Sequence, residues 1–174
     1  MSSNLKIVKA GIDDIPLIRT LADKAFRTTY IDLLTPGQME YMMDWMYSVD
    51  SLATQVSAPG KEFFIAYCGS EPCGYASVEF EKTEDTGRPL YHLQKLYLLK
   101  DYQGHGHGRE LITFMIDHLK ELSPEGFKME LNVNRENKAV GFYEAMGLVR
   151  DRQGDFHIGN GYYMNDYIYT FTWR

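Results

Sequence analysis

Long hydrophobic runs are missing from these 174 residues. No stretch nears the ~18 consecutive apolar residues that mark a membrane-spanning helix. The N-terminus, MSSNLKIVKA, carries no apolar signal core. A cytoplasmic location and no membrane partner are therefore the default expectations. Cysteine is scarce, with only Cys68 and Cys73. Their C-x4-C spacing lacks the second pair that completes a structural zinc site. Two buried thiols beside a hairpin are expected rather than a disulfide. Basic charge is short as well: 24 acidic residues face 18 basic ones, for a net charge of -6. That balance argues against a nucleic-acid partner. It suits a cationic small molecule, whose local concentration an acidic cleft raises.

What is present reads as one domain over residues 1–174, long enough for a real core. LKIVKA (5–10) is a first strand. Asp13 or Asp14 caps a helix with Pro16 in its first turn, and Ile15, Ile18, Leu21, Ala22 and Ala25 recur at helical spacing. Thr35-Pro36, with Gln38 three residues after the cap, opens a second helix. It carries Met39, Met42, Met43 and Met46 with Trp45, read either as core packing or as an adaptable substrate wall. A short helix follows over 51–57. EFFIAY and CGYASVEF form a hairpin, EKTEDTGRP a loop, and YHLQKLYLL (91–99) a strand. A helix over 108–122 is stopped by Ser-Pro-Glu-Gly. FKMELNV alternates as a strand, and a helix over 137–146 ends at Gly147. Two last strands flank a Gly-Asn-Gly turn. The order predicts a mixed sheet with helices packed on it.

The chemistry concentrates in QGHGHGR, Gln103 to Arg109, between a strand and a helix. A helix start leaves backbone amides unpaired, and its dipole favours an anion. Gly104, Gly106 and Gly108 clear side chains from the approach and permit unusual dihedrals. Arg109 adds positive charge. The loop lacks the Gly-Lys-Ser/Thr ending of a P-loop and the acidic partner of a dinucleotide fingerprint. His92, His105 and His107 offer metal-ligating nitrogens, but nothing completes a metal motif, so no metal is expected and the histidines face solvent or phosphate. Further on, Asn134 ends a strand and Asn137 caps a helix that carries Phe142 and Tyr143. These two rings are either packing residues or, for Tyr143, a hydroxyl reaching a cleft.

Together these segments resemble the GCN5-related N-acetyltransferase superfamily over nearly the whole chain. Gln103, Gly106 and Gly108 are similar to its Gln/Arg-x-x-Gly-x-Gly/Ala motif. Asn134 with NKAVGFYEAMGL is similar to its Asn-x-x-Ala-x-x-Phe-Tyr-x-x-x-Gly-Phe segment, with Leu148 replacing the last phenylalanine. The two motifs stand in the family's order, about thirty residues apart. TTYIDLLTPGQMEYMMDWMYS further resembles a bacterial subgroup of uncharacterised and polyamine-type acetyltransferases. The resemblance implies an α/β (α+β) acyl-CoA N-acyltransferase fold, a mostly antiparallel twisted sheet of about seven strands flanked by about four helices. It implies acetyl-coenzyme A as cofactor. The pyrophosphate would meet amides from Gln103 through Gly104, His105, Gly106, His107 and Gly108 to Arg109. The pantetheine arm would lie along Leu96, Tyr97 and Leu98, with Asn134, Asn137 and Phe142 also on the cofactor side. The first helices and the loops around Glu81 to Pro89 would shape the acceptor site.

An acceptor amine must be neutral to attack a thioester carbonyl. By the same resemblance, Tyr143 protonates the departing thiolate and an amide near Leu96 or Tyr97 stabilises developing charge. The base is open among Glu79, His92 and a water relay. Asp32, Glu40, Asp44 and Glu79 are candidates to recognise a cation. The expected reaction is acetylation of a small cationic amine such as a polyamine in a ternary complex. Two alternatives stay open: acetylation of a protein N-terminus or lysine, and a non-catalytic coenzyme A-binding regulator. Tyr162 to Trp173, long and aromatic, offers a sheet edge for a homodimer.

Overall fold

The structure is a computed structural model that describes residues 5–174. Seven strands form one sheet: β1 (Leu5–Lys9), β2 (Lys61–Cys68), β3 (Glu71–Thr83), β4 (Pro89–Leu98), β5 (Phe127–Asn134), β6 (Val149–Gly159) and β7 (Tyr162–Trp173). Their spatial order is β1-β2-β3-β4-β5-β7-β6. Every pairing is antiparallel except β4 with β5. Five α-helices accompany them, one more than the resemblance implied: α1 (Ile15–Tyr30), α2 (Pro36–Tyr47), α3 (Val49–Ser57), α4 (His107–Leu122) and α5 (Ala139–Ala145).

Each face of the sheet buries its own apolar layer. On one, Leu111, Ile112, Met115 and Leu119 of α4 cover Met129, Leu131 and Val133 of β5. On the other, Ile18, Leu21, Ala22 and Phe26 of α1, with Met42 and Leu52, cover Phe63, Ile65 and Tyr75. The strands alternate accordingly, odd residues of β5 facing α4 and even ones facing α1. Met39 and Met42 are buried and Trp45 is exposed, so the inner half of the methionine stripe is core. Thr35 caps α2 as its sequence requires, its side chain accepting from the Gln38 amide at 3.2 Å.

Three local expectations need correction. EKTEDTGRP is a loop only at its centre: β3 runs to Thr83, β4 begins at Pro89, and the turn between them closes with Glu84 N–H to Arg88 O at 2.8 Å. Residues 81–83 project past the core with both faces wet, so their polarity carried no strand signal. β7 is not a sheet edge. It lies between β5 and β6, and β6 is the edge. Cys73 is buried, but Cys68 is only half-buried; both are free thiols.

The decisive feature is a split. β4 and β5 pair only over Leu90–His92 and Lys128–Glu130, then part. A strand that diverges from its neighbour leaves backbone groups to be satisfied by something else. Here that edge is Leu96 to Leu98.

Candidate active site

The split runs up to the glycine loop. Gly104 and Gly106 take φ of +81° and +86°, which favours glycine, and a Cβ on either would meet nothing within 4 Å. Gly106 is the N-cap of α4 and offers no side chain to cap it. With no side chain at the N-cap, the amides from His107 to Arg109 begin the helix uncapped beside the loop, and Arg109 is exposed among them. Gln103 ties the loop to the strand end, its side chain donating to Leu98 O at 3.0 Å. Gly108 differs from the other two. It has no positive φ, and a Cβ there would lie 3.4 Å from the Phe142 ring. Its smallness serves the packing of α5 against α4.

The histidines separate. His105 is exposed. His107 is the first residue of α4 and is buried, with Nε2 3.8 Å from Cys68 Sγ and Nδ1 3.5 Å from Glu110. The helix begins one residue earlier than its apolar spacing suggested, which turns this side chain inward. Among the described residues, the one trio of potential ligands within 4.8 Å is Glu81, His92 and Glu130, which includes neither loop histidine.

Above the split, tyrosines converge. Tyr143 on α5 is buried, with its ring centre 5.3 Å from Phe142 and 6.3 Å from Tyr169. Burial pushes its hydroxyl well above the usual phenol range, and Tyr30 adds to the shift. Tyr30 Oη and Tyr97 Oη lie 3.4 Å apart. Burial raises both of these phenols too, and Asn137 acts on the Tyr30 hydroxyl. The two asparagines hold the turn between β5 and α5: Asn134 Oδ1 accepts from Glu136 N at 2.9 Å, and Asn137 Oδ1 from Ala139 N at 2.9 Å. Leu96 and Leu98 pack their side chains on the α4 face, leaving their backbone at the split.

The face under α1 carries the polar groups. Gln94, at a bulge in β4, and Asn132 on β5 are both exposed across the gap. His92 Nδ1 lies 3.0 Å from Glu81 Oε1 and 3.8 Å from Glu130 Oε1. Glu79 is held between Lys61, at 3.4 Å, and the Gln94 amide. Of the other expected cation-binding acids, Glu40 pairs with Arg27 at 2.8 Å on the surface, and Asp32 and Asp44 are exposed. Two acids stand buried on this face, Glu130 and Asp166; Asp166 could not be read from the sequence, because it sits in a strand of aromatic alternation. The roof is bridged. From α2, the Gln38 side chain donates to Tyr163 O at 2.8 Å and Tyr41 Oη to Ile158 O at 2.8 Å, joining the helix to the β6–β7 hairpin.

A loop of free helix amides beside an unpaired strand edge matches a known group of enzymes. The acetyltransferase (GNAT) domain profile matches residues 32–167. The chain belongs to the GNAT acetyltransferase family. It is an acetyl-coenzyme A-dependent N-acetyltransferase. An uncharacterised N-acetyltransferase from the pepI 3′ region of Lactobacillus delbrueckii subsp. lactis is 24% identical over 160 residues, covering 91% of this chain and 92% of that protein. The PaiA N-acetyltransferase of Thermoplasma acidophilum, solved in complex with coenzyme A, superposes with a TM-score of 0.78 at 20% identity, covering 99% of this chain and 100% of that one. The ribosomal-protein-S18-alanine N-acetyltransferase of Escherichia coli gives 0.69 at 16% identity, covering 97% of this chain and 93% of that one. Among the described residues no helix is long and apolar enough to cross a membrane.

Proposed function

We propose that this GNAT enzyme transfers an acetyl group to the primary amine of a small cationic molecule such as a polyamine, in a ternary complex. The carrying observation is the β4–β5 split, which sets a free strand edge, the α4 amides and Tyr143 around one gap while acidic groups face it from under α1. The fit to coenzyme A rests on this geometry: open space at Gly104 and Gly106 for a diphosphate, and the Leu96–Leu98 edge for the amides of the pantetheine arm. The coenzyme A bound in the Thermoplasma structure supports the same reading.

Acetyl-coenzyme A supplies a thioester carbonyl for the amine to attack. Every other part is played by the chain. The amides from Gly106 to Arg109 hold the diphosphate, and β4 orients the arm. Tyr143 would give its hydroxyl proton to the departing sulfur and be reprotonated, through water, by the proton that the acylated amine releases. Its raised pKa makes it a weak acid, well above the ~8.5 of an ordinary thiol. It therefore acts as a constant hydrogen-bond donor and proton carrier rather than as a group poised to ionise. Glu79 is already engaged by Lys61 and Gln94, and His92 by Glu81. Proton removal from the amine accordingly falls to His92 with Glu81 behind it, or to water held there. The bridge from α2 to the β6–β7 hairpin narrows any slot for a peptide backbone, which favours the small amine over a protein N-terminus.

The test is a coenzyme A-release assay with acetyl-coenzyme A against polyamines, amino acids and peptides. Turnover is expected with polyamines. Turnover confined to peptides replaces the acceptor, and tight coenzyme A binding with no turnover of any amine replaces catalysis with binding.

A further inference from the structure

Asp166 is the most unusual acid in the molecule. It lies on β7, paired across the ladder with Asn134 of β5 and Gly154 of β6. The residue is only 3% exposed. One carboxylate oxygen, Oδ2, accepts a long 3.3 Å bond from the Asn132 amide, and the other, Oδ1, has no partner. A buried acceptor left without a donor keeps the cost of its lost hydration. Such a group persists where a ligand supplies the missing donor.

Its surroundings say which ligand. Asp166, Asn132 and Asn134 share the sheet face under α1, beside the β4–β5 split. Nearby charges are largely spent on one another. Arg135 pairs with Asp155 at 2.5 Å, and Arg152 with Glu130 at 3.1 Å. Tyr30 from α1, His92 from β4 and Arg135 are the titratable groups that act on the carboxylate or are acted on by it. None of them donates to Oδ1. Asn132, which donates to the carboxylate through that one long bond, is itself exposed beside the split.

We infer that Asp166 is the anionic subsite for a second, non-reacting ammonium group of the acceptor. This rests on the amine-acetylation reading and deepens it: the preferred substrate is a diamine or polyamine, anchored by one ammonium while another nitrogen, as the free amine, meets the thioester. The subsite would act on recognition, not on the bond-making step. An ammonium–carboxylate contact in a desolvated site changes affinity by roughly tenfold or more.

The experiment compares spermidine with butylamine as acceptors, for the wild type and for Asp166→Asn, with coenzyme A affinity and melting temperature measured alongside. The wild type is expected to favour spermidine in kcat/KM, through KM. In Asp166→Asn the spermidine-to-butylamine ratio should fall about 10–100-fold, with coenzyme A affinity kept. A preserved ratio in the variant overturns the inference. Should the variant melt early, the wild type still decides: no preference for spermidine over butylamine overturns the subsite and leaves amine acetylation standing. Failure to acetylate either amine, or any other in the panel above, defeats the parent reading and the subsite with it.

Discussion

Tyr143 and Lys95 are both buried, both titratable and both near β4, yet they invite opposite expectations. Burial keeps the Tyr143 hydroxyl protonated throughout the working range, so its contribution as a donor should not titrate. Tyr143→Phe is expected to lower kcat about 100-fold, by the same factor at each point from about pH 6 to 9. Unchanged turnover, or a loss confined to one limb of the pH profile, contradicts the role. Lys95 sits in the apolar layer under α2 and α3, its Nζ donating to Gln55 Oε1 at 2.6 Å and lying 5.6 Å from the Tyr47 ring centre. Burial lowers its pKa from 10.5 to about 8. The folded value lies below the unfolded one, so the charged form is penalised in full below about pH 8, and stability rises with pH between the two values. Lys95→Met should therefore raise the melting temperature at pH 7 by a few degrees, about 1 kcal/mol, and the gain should shrink near pH 10. Scanning calorimetry at the two pH values reads this, and a gain that grows with pH contradicts it.

In the proposed mechanism, cofactor binding turns on the start of α4. Gly106→Val forces a branched residue into a φ of +86°, at a cost of a few kcal/mol in the loop. Gly108→Val meets the Phe142 ring instead and pushes α5 off α4. Both should weaken coenzyme A binding about tenfold or more, measured by titration calorimetry. Only Gly108→Val should also disturb Tyr143, through its neighbour on α5, and lower kcat at saturating cofactor. Equal coenzyme A affinity in wild type and Gly106→Val contradicts the loop's part. This element was legible in the sequence because its glycines, its strand before and its amphipathic helix after are all local signals. The distinct job of Gly108 was not, since its neighbour Phe142 is remote in the chain. Nor were the asparagines fully readable. Counted back from Ala139, the strict family spacing falls on Glu136, while Asn134 and Asn137 flank it and hold the turn. The inward turn of His107 and the interior place of β7 likewise depend on partners far along the chain. Gly74 shows the same limit: a Cβ there would lie 2.5 Å from Tyr97 O, so the strand approach beside the site admits only glycine.

At the scale of the whole molecule, one sheet presents two faces to one gap. The α4–α5 face brings the glycine loop and Tyr143, and the α1 face brings Asp166, Glu130, Glu81 and His92. A net charge of -6 favours the approach of a cation over any of these routes. Element order and the cofactor motifs could be read in advance because they are written in contiguous stretches. The proposed acceptor face was read only in part: Glu79, His92 and the loop from Glu81 stood out, but Glu130 and Asp166 did not, because the face is assembled from β3, β4, β5 and β7 and its acids looked no different from the surface acids Asp32, Glu40 and Asp44. The most direct measurement of the central claim is mass spectrometry of spermidine incubated with the enzyme and acetyl-coenzyme A, alongside quantified coenzyme A release. We expect monoacetylspermidine to accumulate mole for mole with free coenzyme A. Coenzyme A released with spermidine unchanged, or acetyl-coenzyme A bound and left intact, would contradict transfer to the amine.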